Sequence, residues 1–119
     1  SDSVIPDGSD VDDVLRDIAT VEIDALGANY GDNPEKFIGV MARMRLATDL
    51  PLLVQPSAGI PKSSAVERWQ YPVQPSRFAG VAKTFLALGV RFVGGCCGTT
   101  PAHIRAVYDF CFREANEAI

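Results

Sequence analysis

The sequence predicts an α/β domain built on parallel strands. Apolar patterning alternates between helical and extended periods along most of the chain. Pro51-Leu52-Leu53-Val54-Gln55 is nearly continuous in apolar residues, as in a parallel strand covered on both faces. Each expected strand also ends in chemically distinctive residues: Asn29-Tyr30, Gln55-Pro56-Ser57 and Cys96-Cys97. The order is helix, strand, helix, strand, helix, strand, helix, which implies parallel strands joined by right-handed crossovers. Ligand sites of such folds lie at the carboxyl ends of the strands, so these three turns are expected to meet.

Each element has its own justification. Val11, Val14, Leu15 and Ile18 fall on one helical face behind Asp10, which is placed to cap them. The first strand is expected over residues 21–28, ending in Asn29-Tyr30-Gly31. Asn33-Pro34-Glu35 opens the second helix, with Asn33 as cap and Pro34 at the first helical position. Its core face is Phe37, Val40 or Met41, and Met44, and it ends near Thr48-Asp49. After the second strand, residues 56–74 hold Pro56, Gly59, Pro61 and Pro72 with no clear period, and are expected to form a long loop over the site. A third helix follows from Pro75, with Phe78, Val81, Ala82 and Phe85 inward and Gln74 as a poor cap. Val90-Arg91-Phe92-Val93 is the third strand. Thr100 caps the last helix at Pro101, whose inner face is expected to carry Ile104, Tyr108, Cys111 and Ala115.

Composition narrows the function classes. The 119 residues are 47% hydrophobic and 22% charged, with 11 Lys and Arg against 15 Asp and Glu, a net charge of −4. No basic cluster is present to bind phosphates, which argues against nucleic acid. No apolar run approaches the roughly 20 residues that span a bilayer. Ser1-Asp2-Ser3 is acidic, unlike the basic start of a signal peptide. The three cysteines, Cys96, Cys97 and Cys111, are odd in number and two are adjacent, which fits a disulfide framework poorly. A reducing cytoplasm is the expected compartment, where clustered thiols serve metals or reactions.

Cys96-Cys97 between glycines is the sharpest chemical signal. Neighbouring residues of a strand point to opposite faces, so two adjacent thiols reach one ion only across a bend. Gly94, Gly95 and Gly98 permit that bend. The helix that starts at Pro101 favours thiolates, and zinc is the natural ion for them. The plainer alternative is a pair of small residues buried in a tight turn. His103 reads as a surface residue of the last helix rather than a ligand. Trp69 and Tyr71 either cover the pocket or pack the loop onto the rim. Arg91 is expected to pair with an acid such as Asp24 or Glu22. Met41, Met44 and Cys111 read as core residues.

The segment Val93-Gly94-Gly95-Cys96-Cys97-Gly98-Thr99-Thr100-Pro101-Ala102-His103-Ile104-Arg105 closely resembles the C-terminal signature of the homocysteine S-methyltransferase family. The resemblance extends through Asp24-Ala25-Leu26-Gly27-Ala28-Asn29, Asn33-Pro34-Glu35, Asp49-Leu50-Pro51-Leu52-Leu53-Val54-Gln55-Pro56, Ala58-Gly59-Ile60-Pro61 and Pro75-Ser76-Arg77-Phe78-Ala79, nearly the whole chain in order. It implies a (β/α)8 TIM barrel that transfers a methyl group to the zinc-activated thiolate of homocysteine, giving methionine. Three cysteines hold zinc in such enzymes, and homocysteine sulfur takes the open position. Donors across the family include methylcobalamin, betaine and S-methylmethionine. Cys96 and Cys97 match two of the zinc ligands; Asn29, Ser57 and Gly95 fall at the substrate side.

Two positions depart from the family pattern. Tyr30 stands in the third-ligand position where a cysteine is expected, and a phenol with a reference pKa of about 10 is a harder, poorer zinc ligand. It is either a weak ligand or a plug. Ser57 replaces the usual asparagine. By this resemblance residues 1–119 form one partial homocysteine-binding-type domain, the last three strands of a barrel that typically needs about 250 residues. Three strands cannot close, so a partner chain, a second copy or an open rearrangement is expected to deal with the exposed edges. The rival reading is a non-catalytic scaffold or assembly subunit with a degenerate zinc site. A third, weaker one is a thiol redox module using Cys96-Cys97.

Overall fold

A computed structural model describes residues 10–63 and 69–113. Helix α1 (Val11–Ile18) starts at Asp10, whose carboxylate accepts the Asp12 N–H at 2.8 Å, as its cap position requires. Strand β1 (Leu26–Tyr30) is followed by a 3-10 turn (Pro34–Lys36) and helix α2 (Phe37–Ala47). Asn33 Oδ1 accepts the Glu35 N–H at 2.9 Å and so caps that turn. Strand β2 (Leu52–Pro56), helix α3 (Pro75–Ala87), strand β3 (Phe92–Val93) and helix α4 (Pro101–Val107) complete the alternation. A π-helical turn over Tyr108–Phe112 extends α4. None of the described helices is long and apolar enough to cross a membrane.

The three strands are parallel in the order β1-β2-β3, with Leu26 beside Leu52, Tyr30 beside Pro56, and Leu53 beside Phe92. Alternation along β2 buries Leu52, Val54 and Pro56 against the helices. Leu52 and Val54 meet Phe37, Met41, Met44, Val81, Phe85 and Val90 in the main core. A second cluster of Ala58, Val73, Phe78, Ala79, Ala82 and Val107 lies under the carboxyl end of the sheet. The other face of the sheet carries Asn29, Leu53, Gln55 and Phe92, and Phe92 is 55% exposed. The Arg45 guanidinium donates to the Leu50 carbonyl at 2.9 Å and to those of Thr48 and Gly89, tying the end of α2 to the turn after α3.

Several expectations change. The first strand starts at Leu26 rather than Val21, because the Val21 N–H turns back to the Ile18 carbonyl and pairing with β2 begins at Leu26. The third strand shrinks to Phe92–Val93 at the open edge. Arg91 makes no ion pair with Asp24 or Glu22; it is exposed, and an exposed charge needs no protein partner. The inner face of α4 is His103 and Val107, while Ile104 and Tyr108 are 45% and 39% exposed. The hydrogen bond from the His103 ring to the Val73 carbonyl and its edge-on contact with Phe78 hold that face inward. Ala115 lies outside the described residues, as does part of the long loop, whose described ends pair through Lys62 and Gln70.

Arg77 reaches from α3 to the turn before α2 and grips Glu35 with two hydrogen bonds, 2.6 Å and 2.8 Å. The Arg77 hydrogen bond holds the Glu35 carboxyl below its ordinary pKa, against a smaller upward push from burial. A depressed folded pKa stabilises the fold above the unfolded value and is lost as pH falls through the folded one. Because both side chains are partly exposed, the pair is worth at most about 1 kcal/mol. Arg77→Ala should therefore lower stability by about that much near neutral pH and by less at about pH 3, as read by urea unfolding at the two pH values.

Candidate thiol site at the carboxyl ends of the strands

The expected convergence of the three turns is present in the backbone. Cys96 N–H donates to the Pro56 carbonyl at 3.0 Å, Ala58 N–H to the Cys97 carbonyl at 2.8 Å, and Ser57 N–H to the Tyr30 carbonyl at 2.9 Å. These bonds stitch the ends of β1, β2 and β3 into one surface. Gly98, at φ +78°, makes the turn, and the Tyr71 ring lies where a side chain on Gly98 would stand. Tyr71 thus packs the long loop onto the turn, whereas Trp69 is 68% exposed. Thr99 Oγ1 donates to the Cys96 carbonyl at 2.7 Å, and a side chain on Gly95 would collide with Thr99.

The bend turns both thiols the same way. Cys96 Sγ and Cys97 Sγ are 3.9 Å apart, and Asn29 Nδ2 approaches Cys96 Sγ at 3.9 Å. Burial pushes the Cys96 thiol up, but the Cys97 backbone N–H, with the side chains of Cys97, Ser57 and Asn29, outweighs it, so Cys96 titrates below its ordinary value. Ser57 Oγ is buried without a completed hydrogen bond among the described residues. Its pull on Cys96 is that of a hydroxyl dipole beside the sulfur rather than of a formed bond. Cys97 is exposed, leaving the pair open on one side. Cys111 is apart from the site; burial pushes its thiol up, and it faces the Ala79 carbonyl at 3.7 Å.

Two sulfurs on one tetrahedral zinc, each at about 2.3 Å, stand about 3.8 Å apart, so the thiol pair has the bite of a zinc site. A third donor is lacking: among the described residues no group of three His, Cys, Asp or Glu side chains is placed to hold a metal. Tyr30 ends β1 beside Asn29, 57% exposed, and its phenol makes no hydrogen bond among the described residues. Its φ of +81° is a conformation that a tyrosine rarely adopts. The donor set therefore supplies two thiols of a three-thiol centre and does not complete it.

His103 corrects the sequence reading. It is 6% exposed, beneath the turn rather than on the surface. Nδ1 accepts the Thr100 N–H at 3.2 Å, which leaves the proton on Nε2, 2.7 Å from the Val73 carbonyl. The ring meets Phe78 edge-on at 5.4 Å. His103 is a strut that fixes the start of α4 against the loop. The Thr-Pro-Ala-His spacing, a capping-box pattern with histidine in the acceptor place, is the signal that marks it. Thr99 carried no such signal.

Comparison with known proteins agrees with this geometry. The sequence profile of the family described as homocysteine S-methyltransferase matches residues 1–111. Methionine synthase of Mycobacterium leprae is 35% identical over 84% of this chain, and homocysteine S-methyltransferase 3 of Zea mays is 31% identical over 81%. The metallated form of the homocysteine methyltransferase MmuM from Escherichia coli superposes with a TM-score of 0.69 at 28% identity over 92% of this chain. The chain spans only 8%, 30% and 32% of these three proteins, respectively. Profile, relatives and fold concur, and the chain belongs to the homocysteine S-methyltransferase family.

Proposed function

We propose that residues 1–119 form one partial homocysteine-binding-type domain, the C-terminal part of a (β/α)8 barrel that methylates the sulfur of homocysteine to give methionine. The observation that carries this reading is the side-by-side placement of Cys96 and Cys97 at the joined carboxyl ends of three parallel strands. In the transfer, the homocysteine thiol releases its proton to solvent, its sulfur bonds to the methyl carbon as the donor–methyl bond breaks, and the demethylated donor leaves with that bond's electron pair. Cys96 and Cys97 would hold the zinc that activates such a thiolate, and the chain's own donors leave that centre incomplete. Asn29 and Ser57 lie beside Cys96, and with Gly95 they would form the substrate side of the pocket.

The open sheet face with exposed Phe92, and the exposed Ile104 and Tyr108, support a covering by a second protein chain or a second copy. Three free cysteines fit a cytoplasmic setting. One observation favours a second reading, a non-catalytic scaffold: Tyr30 in the third-ligand position. Methionine formation separates the two. The chain is incubated with homocysteine and, in turn, methylcobalamin, betaine and S-methylmethionine, alone and with a polypeptide supplying the preceding strands. The enzymatic reading predicts methionine from one donor, lost in Cys96→Ser and Cys97→Ser. No methionine under any pairing would leave the scaffold reading.

A further inference from the structure

We infer that two copies of this chain dock head to tail, the acidic β1 edge of one copy against the basic β3 edge of the next. The need to cover both edges belongs to the partial barrel proposed above; the choice of a second copy rests on charge and register. Residues 10–35 hold eight of the fifteen acids and one of the eleven bases, Arg16. Beyond residue 35 the bases outnumber the acids ten to five. The fold keeps these two populations at opposite ends. The strands run β1-β2-β3, and the helices pack in chain order, α1 on α2, α2 on α3 and α3 on α4. Helix α1 therefore flanks the β1 edge, and α4 flanks the β3 edge.

At the β1 end, Asp17, Glu22 and Asp24 are exposed and form no ion pair among the described residues. Val21, in the same stretch, is 58% exposed. At the β3 end, Arg91 and Arg105 are exposed, and so are the apolar Phe92 and Ile104. Arg105 also holds Asp109 at 3.2 Å. Each end thus offers apolar surface with one sign of charge in excess. Two like ends repel, which selects the head-to-tail orientation. Such a contact is heterologous, each copy giving one acidic and one basic edge.

The strand register brings the opposite charges together. Gly27, Leu53 and Phe92 stand side by side across the sheet, so Arg91 is level with Leu26. A second copy whose β1 continues the sheet beside β3 at that level places Asp24 two residues, about 7 Å, along the strand from Arg91, within reach of a long side chain. Arg91 and Asp24, which do not meet within one chain, meet between two. The same pairing occupies backbone groups that both edge strands leave open.

The test is analytical sedimentation of the full chain across concentration and salt. Self-association should be strongest at low salt and weaken by about tenfold or more at about 1 M, where charges are screened beyond about 3 Å. Arg91→Glu and Asp24→Arg, each checked for folding by circular dichroism, should each weaken it by about tenfold. An equimolar mixture of the two variants should recover it, because every junction between them joins opposite charges. Lys62→Glu, an equal change of charge on the loop after β2, should leave it unaltered. A chain that stays monomeric at every concentration in low salt would overturn the inference. So would association indifferent to salt and to both reversals, or a mixture no stronger than either variant alone. A monomeric chain that captures a polypeptide supplying the preceding strands would reject the second copy while leaving the partial-barrel reading intact.

Discussion

Phe78→Ala is expected to lower the stability of the chain by about 3–5 kcal/mol, the usual cost of emptying a buried phenylalanine site. Phe78 is 1% exposed and lies in the cluster with Ala58, Val73, Ala82 and Val107, which joins α3 and α4 to the loop that follows β2. That loss is a large share of the roughly 5–15 kcal/mol by which a domain is stable. Its effect should extend to the site, because Phe78 supports the His103 ring and His103 holds the Val73 carbonyl. Val73 N–H in turn donates to the Ala58 carbonyl, one residue beyond Ser57. Urea unfolding should show the drop, with Phe78→Leu recovering more than half of it. An unfolding midpoint for Phe78→Ala close to that of the unaltered chain would show that this cluster does not hold the layers together.

Gly98→Ala is expected to act on the thiol turn directly. At φ +78° an alanine costs about 1–2 kcal/mol in backbone strain. A Cβ there would also lie 2.1 Å from the Tyr71 ring, so the ring or the turn must move, adding about 1–3 kcal/mol. Displacing the turn separates Cys96 from Cys97 and from the Pro56 and Ala58 backbone bonds that align them. The variant should lose stability and also the ability of one bifunctional arsenical to cap both thiols at once. Adding Tyr71→Ala should relieve the collision while leaving the backbone strain. Full recovery in that double variant would mean that φ at this position is unimportant.

The elements were legible because each carries its own local signal. Asp10, Asn33 with Pro34, and Thr100 with Pro101 mark three helix starts, and the apolar run at 51–55 marks the central strand. The convergence of the three strand ends, with the adjacent cysteines between glycines in one of them, was legible from the alternation of elements, and backbone hydrogen bonds join the three turns. The face of α4 was not legible. Ile104 and Val107 both belong to apolar stripes, so periodicity allowed two rotations, and the His103–Val73 and His103–Phe78 contacts that select one are tertiary. The burial of His103 was hidden for the same reason: its partner, the Val73 carbonyl, is 30 residues away. Arg91 appeared to need a partner only on the assumption that its strand is covered, and that edge is open. Cys96 and Cys97 stood out as candidate ligands in the sequence, but their common orientation required the bend itself.

Methionine formation by the chain together with a polypeptide supplying the preceding strands, measured for the unaltered chain and for Cys96→Ser, tests the central claim most directly. The account predicts methionine with the unaltered chain and none with Cys96→Ser. Equal methionine from both would contradict a working thiol site at the joined ends of the three strands.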